Sequence, residues 1–499
     1  MTAVSAVEAA LAQRRRRWRP VLWLLLAAVL VVVFIALGLI IRVLQSGTPY
    51  YSDDDQHFRF GSIGAEVASG IPYKVWQALP VLFPEDFPAG DYSSFGFLYD
   101  GTGDLPIGIS KRRVSGVDLV WFNCAVCHAG TYRESEEDAP QIVTGMPAHQ
   151  LDLHGFTTVV LGAASDPRMA PDSLRTAMTE AGVGLGPIES ILWNVAVFPR
   201  LREGMIARAS RLQPLLDRQP DWAHGRVDTF NPYKVLEFDW PTDTLSEQEV
   251  VGASDFPSIF LQGPRADMQL HWDGNNPSLA ERNLSAALGA GVTPETVDHG
   301  SIERVAEWLL DLEPPTSPHQ PNADAVARGF DIYMRDCASC HGWQSPDGYV
   351  FEGDLLGDIT PLDEVGTDPN RLHSYTQAFR DQQVSELFKD TPHAFRQFQK
   401  TDGYANAPLD GLWLRGPYLH NGSVPTLADL LTPSPERPKT FVRGGDVIDP
   451  LGGFISPPCT TEAACFDTAT RGNSNMGHVW GTDLDAPGKS DLIAYLLTF

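Results

Sequence analysis

Hydrophobic positions are distributed unevenly along this chain. Val21 to Ile41 is an uncharged apolar run of 21 residues, and at about 1.5 Å per residue it spans roughly 30 Å, the thickness of bilayer hydrocarbon. One membrane-spanning helix is expected, assigned to residues 21–42. After a polar stalk around Ser46–Gln56, the segment Phe58 to Tyr99 is rich in Gly, Pro and aromatics without helical periodicity, which predicts loop-rich wrapping. Val114 to Phe122 is β-branched and aromatic, and reads as a short strand leading into Cys124. Helices are expected over Pro171–Ala181 and Ile188–Arg211, the second broken or kinked at Pro199. The stretch to about Asn275 is irregular. Ser301–Leu312 has apolar residues at helical spacing with Ser301 as N-cap, and Pro314 and Pro315 stop it. A Pro-rich linker, Glu313–Pro321, precedes an amphipathic helix from Asn322 to Met334, and Lys489–Phe499 predicts an apolar-faced terminal helix. The expected fold is mainly α with long loops and few short strands: a basic tail (1–20), the span (21–42), an N-terminal unit (43–320) and a C-terminal unit (321–499).

Charge orients the span. Arg14, Arg15, Arg16, Arg17 and Arg19 precede it and Asp53, Asp54 and Asp55 follow it, so the positive-inside bias puts the N-terminus in the cytoplasm and everything after Arg42 outside, as in a single-pass bacterial inner-membrane protein. A cleaved signal peptide is the rival reading, but the apolar core is longer than the usual h-region and no small-x-small site follows it. Of 37 basic and 63 acidic residues, six Arg and Glu8 fall within residues 1–50, which leaves 31 basic against 62 acidic in the remainder. Nucleic acid is not an expected partner of such a body. An acidic face could dock a basic electron donor, although a solvated surface explains the charge more simply.

Two motifs carry the chemistry: Cys124-Ala-Val-Cys127-His128 and Cys337-Ala-Ser-Cys340-His341. Two thiols separated by two residues reach the two vinyl groups of one haem, and the adjacent His turns its imidazole to the iron as proximal ligand. Two covalently attached c-type haems are therefore expected, with His128 and His341 as metal ligands. Zinc held by four cysteines would not explain a His after each pair, a thioredoxin-like pair expects a surrounding βαβ pattern, and two structural disulfides are the third alternative. A helix before the second motif and a terminal helix to cross it are the frame of a small cytochrome c domain; the strand before the first motif departs from that frame. Cys459 and Cys465 lie in a Pro- and Thr-rich loop on the oxidising side, where a small disulfide loop is expected.

Gly416-Pro-Tyr-Leu-His420-Asn-Gly-Ser-Val-Pro-Thr-Leu427 resembles the signature of the bacterial dihaem cytochrome c peroxidase and MauG superfamily. The Val-Pro-Thr-Leu form, with Gly472-Asn-Ser-Asn-Met-Gly-His478, is similar to the branch containing the rubber oxygenase RoxA. The resemblance is most specific from Asp331 to Phe499 and thins in the N-terminal part to Phe122–His128 and His271–Asn276. It implies two unequal haems. The one on Cys124, Cys127 and His128 would keep a distal position open, and the one on Cys337, Cys340 and His341 would store electrons with His478 as distal ligand. His420 is the runner-up for that ligand or a loop-shaping residue near a haem, and Met476 a weaker candidate. The resemblance also implies a tryptophan between the haems, for which Trp272 is the candidate, packing being its plain alternative. His149 and His154 could approach the first haem, but a lone loop histidine is more often a surface or hydrogen-bonded residue. Calcium is considered as a further cofactor with no residue assigned to it.

The expected activity is reduction of hydrogen peroxide at the N-terminal haem, with electrons from a small cytochrome c or cupredoxin passing through the C-terminal haem. A RoxA-like haem dioxygenase and a non-catalytic membrane-anchored electron carrier are the alternatives.

Overall fold

Helix Ala3–Val43 contains the apolar run. The computed structural model describes residues 3–43, 45–460 and 465–499. Within this helix every residue from Trp18 to Gly38 is exposed. It is apolar over most of its surface with no protein core against it, and among the described residues it is the one helix long and apolar enough to cross a membrane. The stalk after it is tied down: Gly47 exchanges two backbone hydrogen bonds with Arg113, at 3.0 and 2.8 Å.

The segment expected to be loop-rich contains three short helices instead, Asp54–Phe60, Ala65–Ser69 and Tyr73–Leu82. They are set by local capping and burial rather than by long periodicity; Asp53, for example, accepts the backbone N–H of Gln56 at 2.9 Å. A three-stranded antiparallel sheet lies beside them, ordered β1 (Ile71–Pro72), β3 (Val117–Phe122), β2 (Ile109–Val114). The predicted strand is thus shortened at its start, because Ser115 and Gly116, both at positive φ, form the two-residue turn of a hairpin pairing Ile109 with Phe122. Its large core is built on aromatics: Trp76 stacks on Tyr92 at 3.8 Å, with Phe97 and Phe156 packed around them.

Helix Pro171–Glu180 forms as expected. The next is interrupted before Pro199 rather than at it: Pro187–Leu192 and Phe198–Leu216 are joined by a π-turn over Trp193–Val197. Pro199 then follows the π-turn directly, as the second residue of the next α-helical piece. Asp298, not Ser301, caps helix His299–Leu309; its carboxylate accepts from Ser301 N at 3.2 Å.

In the C-terminal part, helix Ala323–Asp336, capped by Asn322, crosses the terminal helix Ala486–Leu496. Gly329 permits the crossing, since a Cβ there would lie 2.0 Å from the Asp491 carbonyl oxygen, and Arg328 pairs with Asp491 at 2.7 Å. Tyr333, Leu492, Tyr495 and Phe499 form the core between them. The remaining strands make five two-stranded antiparallel pairs among the described residues. The fold is mixed and mainly helical, with short strands, a cytochrome c-like part and one N-terminal apolar helix. Cys459 and Cys465 are disulfide-bonded.

Candidate haem sites

Strand β3 delivers the first motif. Asn123 ends it by accepting the N–H of Ala125 at 3.0 Å and donating to the Gly61 carbonyl at 2.9 Å, which folds Cys124–Val126 into a single 3₁₀ turn. Gly108 lets β2 lie against this turn: a Cβ there would fall 2.4 Å from the Val126 backbone. Cys124 and Cys127 are free thiols deep in the fold, where burial pushes them up to about 11 and about 12. Burial likewise lowers His128 to about 4, keeping its ring neutral. All three residues nevertheless keep some accessible surface, so the motif is not sealed inside the packed core.

Helix Ala323–Asp336 delivers the second motif, and Ala338–His341 continues as one helical turn. His341 Nδ1 lies 2.8 Å from the Ala407 carbonyl, as His128 Nδ1 lies 2.9 Å from that of Pro257. A carbonyl can only accept, so in both rings Nδ1 carries the proton and Nε2 keeps its lone pair, the form that binds a metal.

His478 is held by its backbone. Its N–H donates to Val365 O at 2.7 Å. Arg437 gathers the carbonyls of Asn475, Gly477 and His478 at 2.6, 2.8 and 3.1 Å. The loop can press against Gly366 because residue 477 is a glycine at positive φ; a Cβ there would lie 2.3 Å from the Gly366 carbonyl carbon. This places the His478 ring 6.3 Å from that of His341, centroid to centroid, with 39° between their planes. Burial lowers His478 to about 4, and its Nδ1 is buried without a partner. An ion bound about 2 Å from one nitrogen of each ring sets the centroids roughly 6 Å apart, so the donor set and its spacing fit a c-type haem iron.

The other predicted residues have definite places. Trp272 donates from Nε1 to Asp255 O at 2.8 Å and packs against the cluster of Val365, Leu372 and Tyr404. Its neighbour His271 meets Asn275 Oδ1 at 2.6 Å. His420 is buried and stacked on Tyr404 at 4.0 Å, with its imidazole held well below the usual range by burial and then by Arg371 and Arg226. Met476 is 46% exposed. His149 is buried against Phe454, 4.2 Å between centroids, and His154 approaches Asp221 at 3.4 Å.

Arg282 was not legible. It lies on helix Leu279–Gly289, in an interior region close enough to Cys124, His128 and His271 to act on their charge. Its guanidinium donates to Asn283 Oδ1 at 3.0 and 2.7 Å and meets no carboxylate within ion-pair distance among the described residues. Burial, reinforced by Arg265, lowers it to about 10. One arginine on an ordinary helix carries no sequence signal for such a place; Arg437 was missed for the same reason.

With that geometry in view, residues 403–442 match a family described as RoxA-like, cytochrome c-like. Three relatives are informative. The uncharacterised y4iJ of Sinorhizobium fredii is 26% identical over an alignment covering 83% of this chain and 85% of its own. The uncharacterised y4iM of the same organism is 28% identical over 49% of this chain and 64% of its own, so the chain spans just under two thirds of it. Cytochrome c550 of Pseudomonas aeruginosa is 35% identical over 14% of this chain and 51% of its own. These likenesses support a cytochrome c family, a c-type haem and a redox function. The family match covers the segment around His420, which contains neither Cys-x-x-Cys-His motif.

Proposed function

We propose that this is a membrane-anchored, extracytoplasmic dihaem c-type oxidoreductase that reduces hydrogen peroxide at the N-terminal motif, with electrons relayed through the C-terminal one. The observation that carries the reading is the asymmetry between the two histidines. His341 has an opposed imidazole in His478 at 6.3 Å, whereas among the described residues His128 has no such ring partner. Two fixed ligands suit an electron store, which exchanges electrons with little rearrangement; a single proximal ligand suits a centre where an oxygen species binds. When bound, the haems supply one-electron iron chemistry, and reduction of one peroxide to two waters takes two electrons and two protons.

The chain's own residues orient that chemistry. Pro257 and Ala407 fix the tautomers of His128 and His341. Arg282 is the residue that would take a haem propionate, since its half-buried guanidinium meets no carboxylate among the described residues. His271 and Trp272 are consecutive, and their surroundings differ: Arg282 acts on the charge of His271, and Trp272 packs on the cluster containing Val365, whose carbonyl holds the His478 backbone. This supports Trp272 as the relay. The anchor would be residues 21–42 in the bacterial inner membrane, with the N-terminus cytoplasmic.

The RoxA-like match favours a second reading, a haem dioxygenase that cleaves a carbon–carbon double bond without an external reductant. Optical and electron-paramagnetic spectra of the purified haem-loaded chain separate the two. Two haems per chain, one low-spin and one that reacts with peroxide and returns on addition of a reduced cytochrome, are expected. A dioxygen adduct of the ferrous chain that persists and cleaves an added alkene with no further reductant favours the dioxygenase, and two unreactive low-spin haems would sink both in favour of a plain electron carrier.

A further inference from the structure

The loop that carries His478 continues to the surface as an apolar patch. Val479 is 54% exposed, Met476 46% and Trp480 39%, three large apolar side chains flanking the half-buried His478. Scattered exposed apolar residues are ordinary, but a contiguous group rimmed by charge marks a contact surface. Trp480 is also in contact with His478, its ring 5.2 Å from the imidazole at 70°, edge to face. One indole therefore touches both solvent and the histidine opposed to His341.

The rim is acidic. Asp363 and Glu364 are exposed on the short helix Leu362–Val365, which meets the loop through the bond from His478 N to Val365 O. Glu364 acts on the Cys340 thiol electrostatically. Exposed Glu436 precedes Arg437, which holds the loop's carbonyls. Asp483 and Asp485 follow Trp480 and are exposed. Of the cations in these segments, Arg335 is paired with Asp336 at 2.6 Å, and Lys439 stands two residues after Arg437.

We propose that this patch is the electron-entry surface, with Trp480 as its gateway, and that its occupant is a small basic redox protein bearing an exposed metal-cofactor edge. The proposal rests on the reading of the second motif as a His341–His478 electron store. An apolar centre allows close approach while the acidic rim steers and orients a basic partner. In the transfer the partner's reduced metal is oxidised by one electron, the His341–His478 centre is reduced by one, and no bond or proton moves.

The test is stopped-flow reduction of the full haem-loaded chain in detergent by two donors, a reduced basic monohaem cytochrome c and dithionite. The cytochrome-driven rate should fall steeply with ionic strength. It should drop roughly tenfold or more in the double variant Asp363→Lys, Glu364→Lys and in Trp480→Ala, and recover partly in Trp480→Phe, with the dithionite-driven rate and low-spin spectrum unchanged in each. Unchanged cytochrome-driven rates in both the charge-reversed chain and Trp480→Ala would overturn the assignment, as would faster reduction by an acidic cytochrome. If the wild-type chain lacks a bis-histidine low-spin signal, it is the underlying reading of the motif that has failed.

Discussion

Arg371 grips Asp273 through two nitrogens, Nε at 3.1 Å and Nη2 at 2.9 Å from the same carboxylate oxygen, and both side chains are almost wholly buried. The pair fixes the residue next to Trp272, while the Trp272 indole is held separately by Asp255 O. Arg371 also donates to Ser254 Oγ at 2.7 Å, so one cation ties the residue after Trp272 to the residue before Asp255, the acceptor of its indole. Removing one member of a buried ion pair strands the other, at a cost of about 3–5 kcal/mol. Asp273→Asn, which keeps the shape and loses the charge, should cost about 3 kcal/mol or somewhat less in chemical denaturation followed by circular dichroism. A loss below about 1 kcal/mol would mean that Arg371 is satisfied without it.

Trp272→Phe keeps the bulk in the cluster and removes the hydrogen bond to Asp255. If the indole carries electrons between the sites, transfer from the C-terminal to the N-terminal centre after partial reduction should slow by about tenfold, with both haem spectra unchanged. A rate equal to wild type leaves Trp272 a packing residue.

His478→Ala removes one of the two opposed rings. One of the two haem signals should pass from low spin to high spin, while Met476→Ala and His420→Ala should leave it low-spin, since Met476 is exposed and His420 is stacked on Tyr404. Pulsed electron-paramagnetic resonance of the ferric chain reads this directly. A low-spin signal that survives in His478→Ala removes the assignment.

How much of this was legible depended on whether the signal was local. The Cys-x-x-Cys-His motifs, the apolar span, the strand into Cys124, the helix into Cys337 and the Cys459–Cys465 bridge are all specified by residues close in sequence, and the fold follows them. The helices of residues 54–82 escaped because each is shorter than the window in which a 3.6-residue period can be counted. Asp298 displaced Ser301 as cap because either could start the same helix, and the register is chosen by tertiary contacts, including His57 Nε2 at 2.9 Å from Ser301 Oγ. The supports of the site were invisible for a different reason. Pro257 O and Ala407 O are backbone groups with no residue-type signal, and Arg282 and Arg437 acquire their roles from chain segments far away in sequence.

Arg282→Gln tests the cation beside Cys124 and His128. A positive charge in a poorly screened interior favours the less positive, ferrous iron, so its removal should lower the potential of the N-terminal haem and leave the C-terminal one unmoved in a spectroelectrochemical titration. Arg282→Lys should restore part of the shift. Equal potentials in all three chains would place Arg282 outside the reach of the haem.

Glu237 gives the pH dependence a definite sign. Burial, with Glu295 and Asp239 nearby, raises its carboxyl to about 7 against the pull of Arg208 and Arg211. Between the ordinary carboxylate range and about pH 7 the folded chain keeps a proton that the unfolded chain has released, so stability falls as pH rises through that window and levels off above it. Glu237→Gln mimics the protonated group and removes this dependence. The variant should match wild type near pH 4 and exceed it at pH 8, by about 1 kcal/mol once solvent screening of this partly exposed site is allowed for. Denaturation midpoints measured across pH 4–8 check it: parallel curves would show that Glu237 titrates normally, and a variant less stable than wild type at pH 8 would show that its charge is needed by Arg208.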